Sequence, residues 1–306
     1  MTTTPAFTVL DYIVEDATAI LTLNRPEALN TIVPPMLDEL EAAVGKAVRD
    51  RAVKVILLQG AGRSFCGGFN FSDGFHQWDD VMTSDGAYDI GQDLIAVTSP
   101  TLGWVPKMMS LWRSPKPVIV QVHGWCLGGG SELALCGDLV VASEDARIGT
   151  PYSRMWGCHH AGMWVHRLGL AKAKELALTG RSLSGTEAAS LGLINQAVPF
   201  GQLEATTRKL ARQLALIPLS QLASMKLAVN QAYENMGLHS TQLLGSVMDL
   251  IMRNTPEARA WIGKAQADGV QSALAQRDGP FGDYSRGGKD DKPDPCNVVG
   301  VPRAGA

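Results

Sequence analysis

Apolar and polar residues alternate over 7–15 and again over 18–23, on either side of Asp16-Ala17, and this pattern predicts an antiparallel β-hairpin. The stretch NRPEALN at 24–30 reads as a loop, because Pro26 biases Arg25 away from the helical region. From 34 to 48 the positions Met36, Leu37, Leu40, Ala43, Val44 and Ala47 keep the helical period. Residues 53–58 and 117–122 return to short runs rich in aliphatic and β-branched residues, which predict buried strands. The order strand, helix, strand predicts a parallel sheet with crossovers.

The last third is helical in pattern. SGTE at 184–187 has the form of a capping box, and the helix expected over 203–217 stops at Pro218. A further helix over 220–234 ends before Gly237, and TPE at 255–257 opens another with a cap residue followed by proline. From Asp278 onward glycine, proline and aspartate dominate, so 278–306 is expected to be extended or disordered. No internal repeat is visible.

Composition narrows the class. Apolar residues make up 45% of 306, as in soluble globular proteins, and no apolar run reaches the length of a membrane span. The first residues lack the basic and apolar regions of a signal peptide, so the expected location is cytoplasmic, without membrane insertion. The balance of 27 basic and 30 acidic residues carries no footprint for nucleic acid. Cys66, Cys126, Cys136, Cys158 and Cys296 form no CxxC pair, which favours reduced thiols over a disulfide framework or a metal site.

Candidate chemistry concentrates in HGWCLGGGSELALCGD at 123–138. A strand runs into Gly128, Gly129 and Gly130, and Glu132 follows in the first turn of a helix. Side-chain-free N–H groups at a helix start can stabilise an oxyanion, with a carboxylate beside them as acid or base. The same residues would also serve as a tight strand-to-helix connection. A phosphate-binding loop is excluded, because Gly130 is followed by Ser131 and Glu132 rather than lysine. A second glycine-rich loop, QGAGRSFCGGFN at 59–70, does not fit a dinucleotide fingerprint, since Phe65 stands where a small residue is required.

Four pieces together, LNRPEALN at 23–30, VILLQGAGRSFCGG at 55–68, PVIVQVHGWCLGGGSELALCGDLVVAS at 117–143 and ALTGRSLSGTEAASLGLINQAV at 177–198, resemble the crotonase (enoyl-CoA hydratase/isomerase) superfamily. The resemblance implies an α/β fold, a spiral of ββα units over 1–200 that holds an acyl-CoA thioester. It also implies a helical region over 201–277 that assembles homotrimers or homohexamers, and no cofactor beyond the coenzyme A of the substrate. By resemblance the thioester oxygen sits between the N–H groups of Gly67 and Gly129, Glu132 is a catalytic base, and Arg25, Gly68 and Arg277 contact the coenzyme A portion.

The chain departs from the hydratase pattern where a second glutamate is expected. That place reads IGTPYSRMW at 148–156, so Tyr152, or Ser153 if one residue is inserted, replaces the acid. A phenol is a poor base near neutrality but can donate or relay a proton. His159 or His160 could take the missing role, His160 being the candidate carried forward; packing is the other reading of both. One-base chemistry such as a double-bond shift survives the loss of the second acid, whereas an acyl-CoA-binding homologue with little hydratase activity is the alternative. Phe71, Phe75, Trp78, Trp104, Met108, Met109 and Trp112 suit either a bulky acyl group or a small core of their own.

Overall fold

The computed structural model describes residues 7–70, 83–84, 87–155, 157–158, 161–282 and 284. β1 (Leu10–Glu15) and β2 (Thr18–Leu23) pair antiparallel, and Asp16 and Ala17 take φ of 44° and 61°. Two consecutive left-handed residues give a hairpin turn whose twist matches its strands. α1 (Pro34–Arg49) buries all six apolar positions read from its period. β3 (Val55–Gly60) begins two residues later than the apolar run, because the Val53 N–H is drawn to the Asp50 carbonyl at the end of α1.

Short strands β4 (Thr83–Ser84) and β5 (Ala87–Tyr88) lead to α2 (Ile90–Thr98), α3 (Trp104–Met108) and α4 (Ser110–Arg113). There follow β6 (Val118–Val122), β7 (Trp125–Leu127), α5 (Gly129–Leu135), β8 (Leu139–Ser143), β9 (Arg147–Gly149) and α6 (Met163–Thr179), the last interrupted at Gly169. β10 (Leu183–Ser184), α7 (Gly185–Ser190) and β11 (Gln196–Val198) close this part. The C-terminal helices are α8 (Phe200–Ala215), α9 (Leu219–Asn235), α10 (Leu238–Arg253), α11 (Pro256–Asp268) and α12 (Val270–Asp278).

The large sheet has the order β1-β2-β3-β6-β8-β11 and is parallel beyond the hairpin. A smaller sheet has the order β10-β9-β7, and the bridges Cys66↔Cys126 and Ile32↔Phe69 extend that second layer toward the N-terminus. The chain thus passes through the large sheet, then the small layer, then a helix, as in β6, β7, α5 and again in β8, β9, α6. This is the ββα repeat. It leaves no trace in the sequence because its inner strand shrinks to three residues, or to a single bridge.

The large sheet is covered on both faces, which accounts for the largely apolar runs. Ile20, Val55, Leu57 and Ile119 pack with Ala211 of α8, while Leu21, Ile56, Leu58, Val118 and Val120 face the main core. At the C-terminal end, Thr255 caps α11 as expected. Ser184 accepts the Glu187 N–H, but Glu187 turns to Arg181 at 2.8 Å, so only half of the capping box forms. α10 is two-sided: Gln242, Ser246 and Asp249 are buried, whereas Leu243, Leu244, Ile251 and Met252 are exposed. Among the described residues no helix is long and apolar enough to cross a membrane.

His123, at the head of the glycine-rich stretch, supports the fold. Its buried Nε2 donates to the Gly62 carbonyl at 2.9 Å, and its ring lies 5.7 Å from that of Phe200. Burial holds its pKa below the ordinary histidine value, so the unfolded chain binds a proton that the native protein resists. Native stability should therefore be complete above about pH 6.5 and fall as the pH drops through the window below it. Urea titrations from pH 7.5 to 5 should show this slope, and it should flatten in His123→Gln.

Candidate active site

The site forms where two turns touch. The strand β7 ends at Leu127, and Gly128 takes φ 51° and ψ −125°, a conformation open to glycine alone at little cost. Its N–H donates to the Gly149 carbonyl at 2.8 Å, and its carbonyl accepts from Ser131 and Glu132 at 3.0 and 3.1 Å. The Gly129 N–H, in the first turn of α5, has no acceptor among the described residues. Neither Gly129 nor Gly130 tolerates a side chain: a Cβ would lie 2.6 Å from the Phe69 ring at the first and 2.5 Å from the Cys66 carbonyl oxygen at the second. The glycine triplet therefore serves close approach to the 65–70 turn as well as chain reversal.

That facing turn corrects one expectation. The Gly67 N–H donates to the Leu29 carbonyl at 2.9 Å and so is committed within the fold. The Gly68 carbonyl, after φ 98°, accepts from Ile32 at 2.7 Å. In a trans peptide the C=O and the following N–H point opposite ways. The Phe69 N–H is consequently directed away from Ile32, toward the side where Gly129 stands. A Cβ on Gly68 would sit 3.8 Å from the Gly129 nitrogen, so the two backbones adjoin. The Phe69 N–H, and not that of Gly67, is left facing out of the pairing with 29–32. The signal was present in the spacing of the loop, but which amides point inward depends on pairing with 29–32.

Glu132 is fully buried. Its Oε2 accepts the Ala161 N–H at 3.0 Å, and the Ala161 carbonyl is held in turn by Gln242 of α10 at 2.8 Å. Tyr152 stands on a single 3-10 turn, Pro151–Arg154, and its phenol adjoins the Glu132 side chain. Burial first, then the nearby charges of Glu132 and Asp249, raise its pKa well above the phenol's ordinary value, so it carries its proton at any physiological pH. Ser153 is exposed and directed toward Gly180, which decides between the two candidates for the second-acid position in favour of Tyr152. His159 and His160 lie outside the described residues, as do Phe71, Phe75 and Trp78.

Gly68, Phe69, Gly129, Tyr152, Trp104 and Asp249 line a cavity of about 1170 Å³, and Glu132 lies buried behind this wall, against Tyr152. Trp104 packs on Phe69 with ring centroids 4.9 Å apart, whereas Met108, Met109 and Trp112 are core residues, so the aromatics of this region divide between cavity and core. Arg25 is not in the wall; its Nη1 donates to the Thr31 carbonyl at 2.9 Å and braces the loop that is. Arg277 is in the wall, with its guanidinium against Asp278 at 2.9 and 2.6 Å. Arg63 and Arg259 also line the cavity, and the sequence reading had not singled them out. Cys66, Cys126, Cys136 and Cys158 are free thiols; burial pushes Cys66 and Cys136 up to about 12, too high for nucleophiles at neutral pH. Among the described residues no cluster of histidine, cysteine or carboxylate side chains could hold a metal ion.

A two-layer ββα spiral with a buried glutamate in the first turn of α5, behind a glycine-lined cavity, defines a protein of the crotonase class. The family model for enoyl-CoA hydratase/isomerase matches residues 14–249, and the chain belongs to that family. It is 32% identical to the 1,2-epoxyphenylacetyl-CoA isomerase of Escherichia coli (strain K12), over 88% of this chain and 96% of the relative. It is also 32% identical to a probable mitochondrial enoyl-CoA hydratase of Dictyostelium discoideum, over 70% and 73%. Among solved structures, an enoyl-CoA hydratase from Mycobacterium smegmatis superposes with a TM-score of 0.84 at 37% identity, covering 91% of this chain and 96% of that one. The activity is accordingly of the hydratase or isomerase type.

The contact between the turns should be sensitive to one methyl group. Gly130→Ala drives a Cβ into the Cys66 carbonyl and should cost about 1–3 kcal/mol, measured by chemical denaturation. Gly201→Ala, in open space, should leave stability within about 0.5 kcal/mol.

Proposed function

We propose that this protein forms a thioester enolate, with the acyl-CoA carbonyl oxygen held between the N–H groups of Phe69 and Gly129 and with Glu132 as the base at C2. The observation that carries the reading is the buried Glu132 carboxylate, held by the Ala161 N–H at 3.0 Å and set against Tyr152, which lines the cavity onto which Gly129 opens. Removing a proton from C2 sends its electron pair toward the carbonyl oxygen, and two aligned backbone donors stabilise that charge with no reorganisation. The proton can return to C2 or be placed at C4. Tyr152 keeps its proton and cannot activate water as a second carboxylate would, so exchange and double-bond shift should be favoured over hydration on simple straight-chain substrates.

Size and lining of the cavity favour a bulky or cyclic acyl group, and a relative named for an epoxyphenylacetyl thioester is in keeping with this. Arg63, Arg259 and Arg277 would meet the anionic end of coenzyme A, and no resident cofactor is needed. The exposed apolar positions of α9 and α10, among them Leu227, Val229 and Leu244, would be covered in a trimer or a pair of trimers. A cytoplasmic setting and a role in fatty-acid or related acyl-CoA metabolism complete the reading.

Glu132→Gln preserves shape but cannot take a proton. It should lower C2 exchange in heavy water, and isomerisation with it, by about 10²–10⁴-fold while thioester binding persists. Turnover at the parent rate in this variant would sink the mechanism. Light scattering at micromolar concentration should give three or six times the chain mass, and a monomer would contradict the assembly.

A further inference from the structure

Asp249 is a carboxylate of the C-terminal helix region that comes to the catalytic cavity. It lies on the inner face of α10, is 3% exposed, and lines the cavity together with Tyr152. Gly157, at φ 118°, permits the approach: a Cβ there would be 2.7 Å from the Tyr152 ring and 3.3 Å from Asp249 Oδ1. The other carboxylate oxygen is 3.0 Å from Arg253 Nε, and Arg253 also pairs with buried Asp93 at 3.1 Å. Arg253 stands over the Trp104 ring at 5.1 Å. An ion pair alone would account for Asp249 if it stood away from the reacting groups. It stands instead beside the phenol that adjoins Glu132, both packed against Gly157.

We propose that Asp249 is the second proton-carrying group of the site, with Tyr152 relaying protons between it and Glu132. The inference rests on the enolate reading above. For a 3-enoyl thioester, Glu132 takes the proton from C2 and the C2–H electron pair enters the dienolate. The dienolate then collapses: the carbonyl re-forms, a C2=C3 bond forms, and the former C3=C4 pair takes a proton at C4 from the acid form of Asp249. Glu132 is left protonated and Asp249 ionised. The cycle closes when Glu132 passes its proton to the Tyr152 oxygen while the phenolic proton passes to Asp249. One hydrogen has moved from C2 to C4, and nothing else is consumed.

The test is the fate of label on 3-butenoyl-CoA deuterated at C2. In ordinary water and in the first turnover, delivery by Asp249 should leave less than a tenth of the abstracted deuterium at C4 of the crotonyl product; a majority of label carried to C4 would mean that one base does both steps and would overturn the proposal. Asp249→Asn should keep C2 exchange within about threefold while isomerisation falls at least 100-fold, and Asp249→Glu should restore part of it. Tyr152→Phe, which removes only a hydroxyl, should lower isomerisation in multiple turnover at least 100-fold. If either Asp249→Asn or Tyr152→Phe isomerises at the parent rate, or if Asp249→Asn loses exchange and isomerisation in equal measure, Asp249 is not the second proton-carrying group. Persistence of C2 exchange in Glu132→Gln would instead remove the enolate reading itself.

Discussion

The structure depends on a close approach between two pieces of backbone. The 65–70 turn and the start of α5 meet at distances that exclude any side chain on Gly129 or Gly130, and the Cys66↔Cys126 bridge locks the approach from below. Amide groups can converge on one ligand atom only if nothing larger than hydrogen separates their chains. The thiols of Cys66 and Cys126 sit inside this contact, where burial raises their pKa and leaves them as small apolar filling.

Glu132 illustrates how a buried carboxylate is kept usable. Isolation in an apolar interior would be very costly for the charged form, and the protein offsets this with an N–H from Ala161 and the phenol of Tyr152. The Ala161 peptide is itself fixed by Gln242, so α10 reaches the carboxylate through one intermediate group. The same helix presents Asp249 and Arg253 to the cavity, and α11 and α12 add Arg259 and Arg277. The C-terminal helices are thus part of the site's wall as well as a surface with apolar residues still exposed. Two of the guanidinium groups in the wall are paired with carboxylates, Arg277 with Asp278 and Arg253 with Asp93 and Asp249.

Much of this was legible in the chain itself. The hairpin, α1, the buried strands and the existence of α8 and α9 follow from period, proline and glycine, because each is set by burial of a local face, although α8 starts and ends before the expected 203–217. Gly128, Gly129 and Glu132 could be picked out for a similar reason: a strand, a side-chain-free turn and a first-turn carboxylate are neighbours in sequence, so their spacing carries their geometry. Which inward amide partners Gly129 was not legible. Gly67 and Phe69 differ only in the direction of an N–H, and that direction is decided by hydrogen bonds to Leu29 and Ile32, thirty-seven residues or so before Phe69. Asp249 was invisible for a stronger reason. On a helix with apolar residues on either side it reads as one polar position in an assembly surface, and only the packing of α10 over Gly157 and Ala161 turns its face with Gln242 and Ser246 inward. The sequence by itself determined the elements and singled out Glu132, because those rest on contacts between near neighbours; the tertiary structure alone decided that the Gly67 amide is committed to Leu29 and that Asp249 lines the cavity, because those rest on distant segments brought side by side.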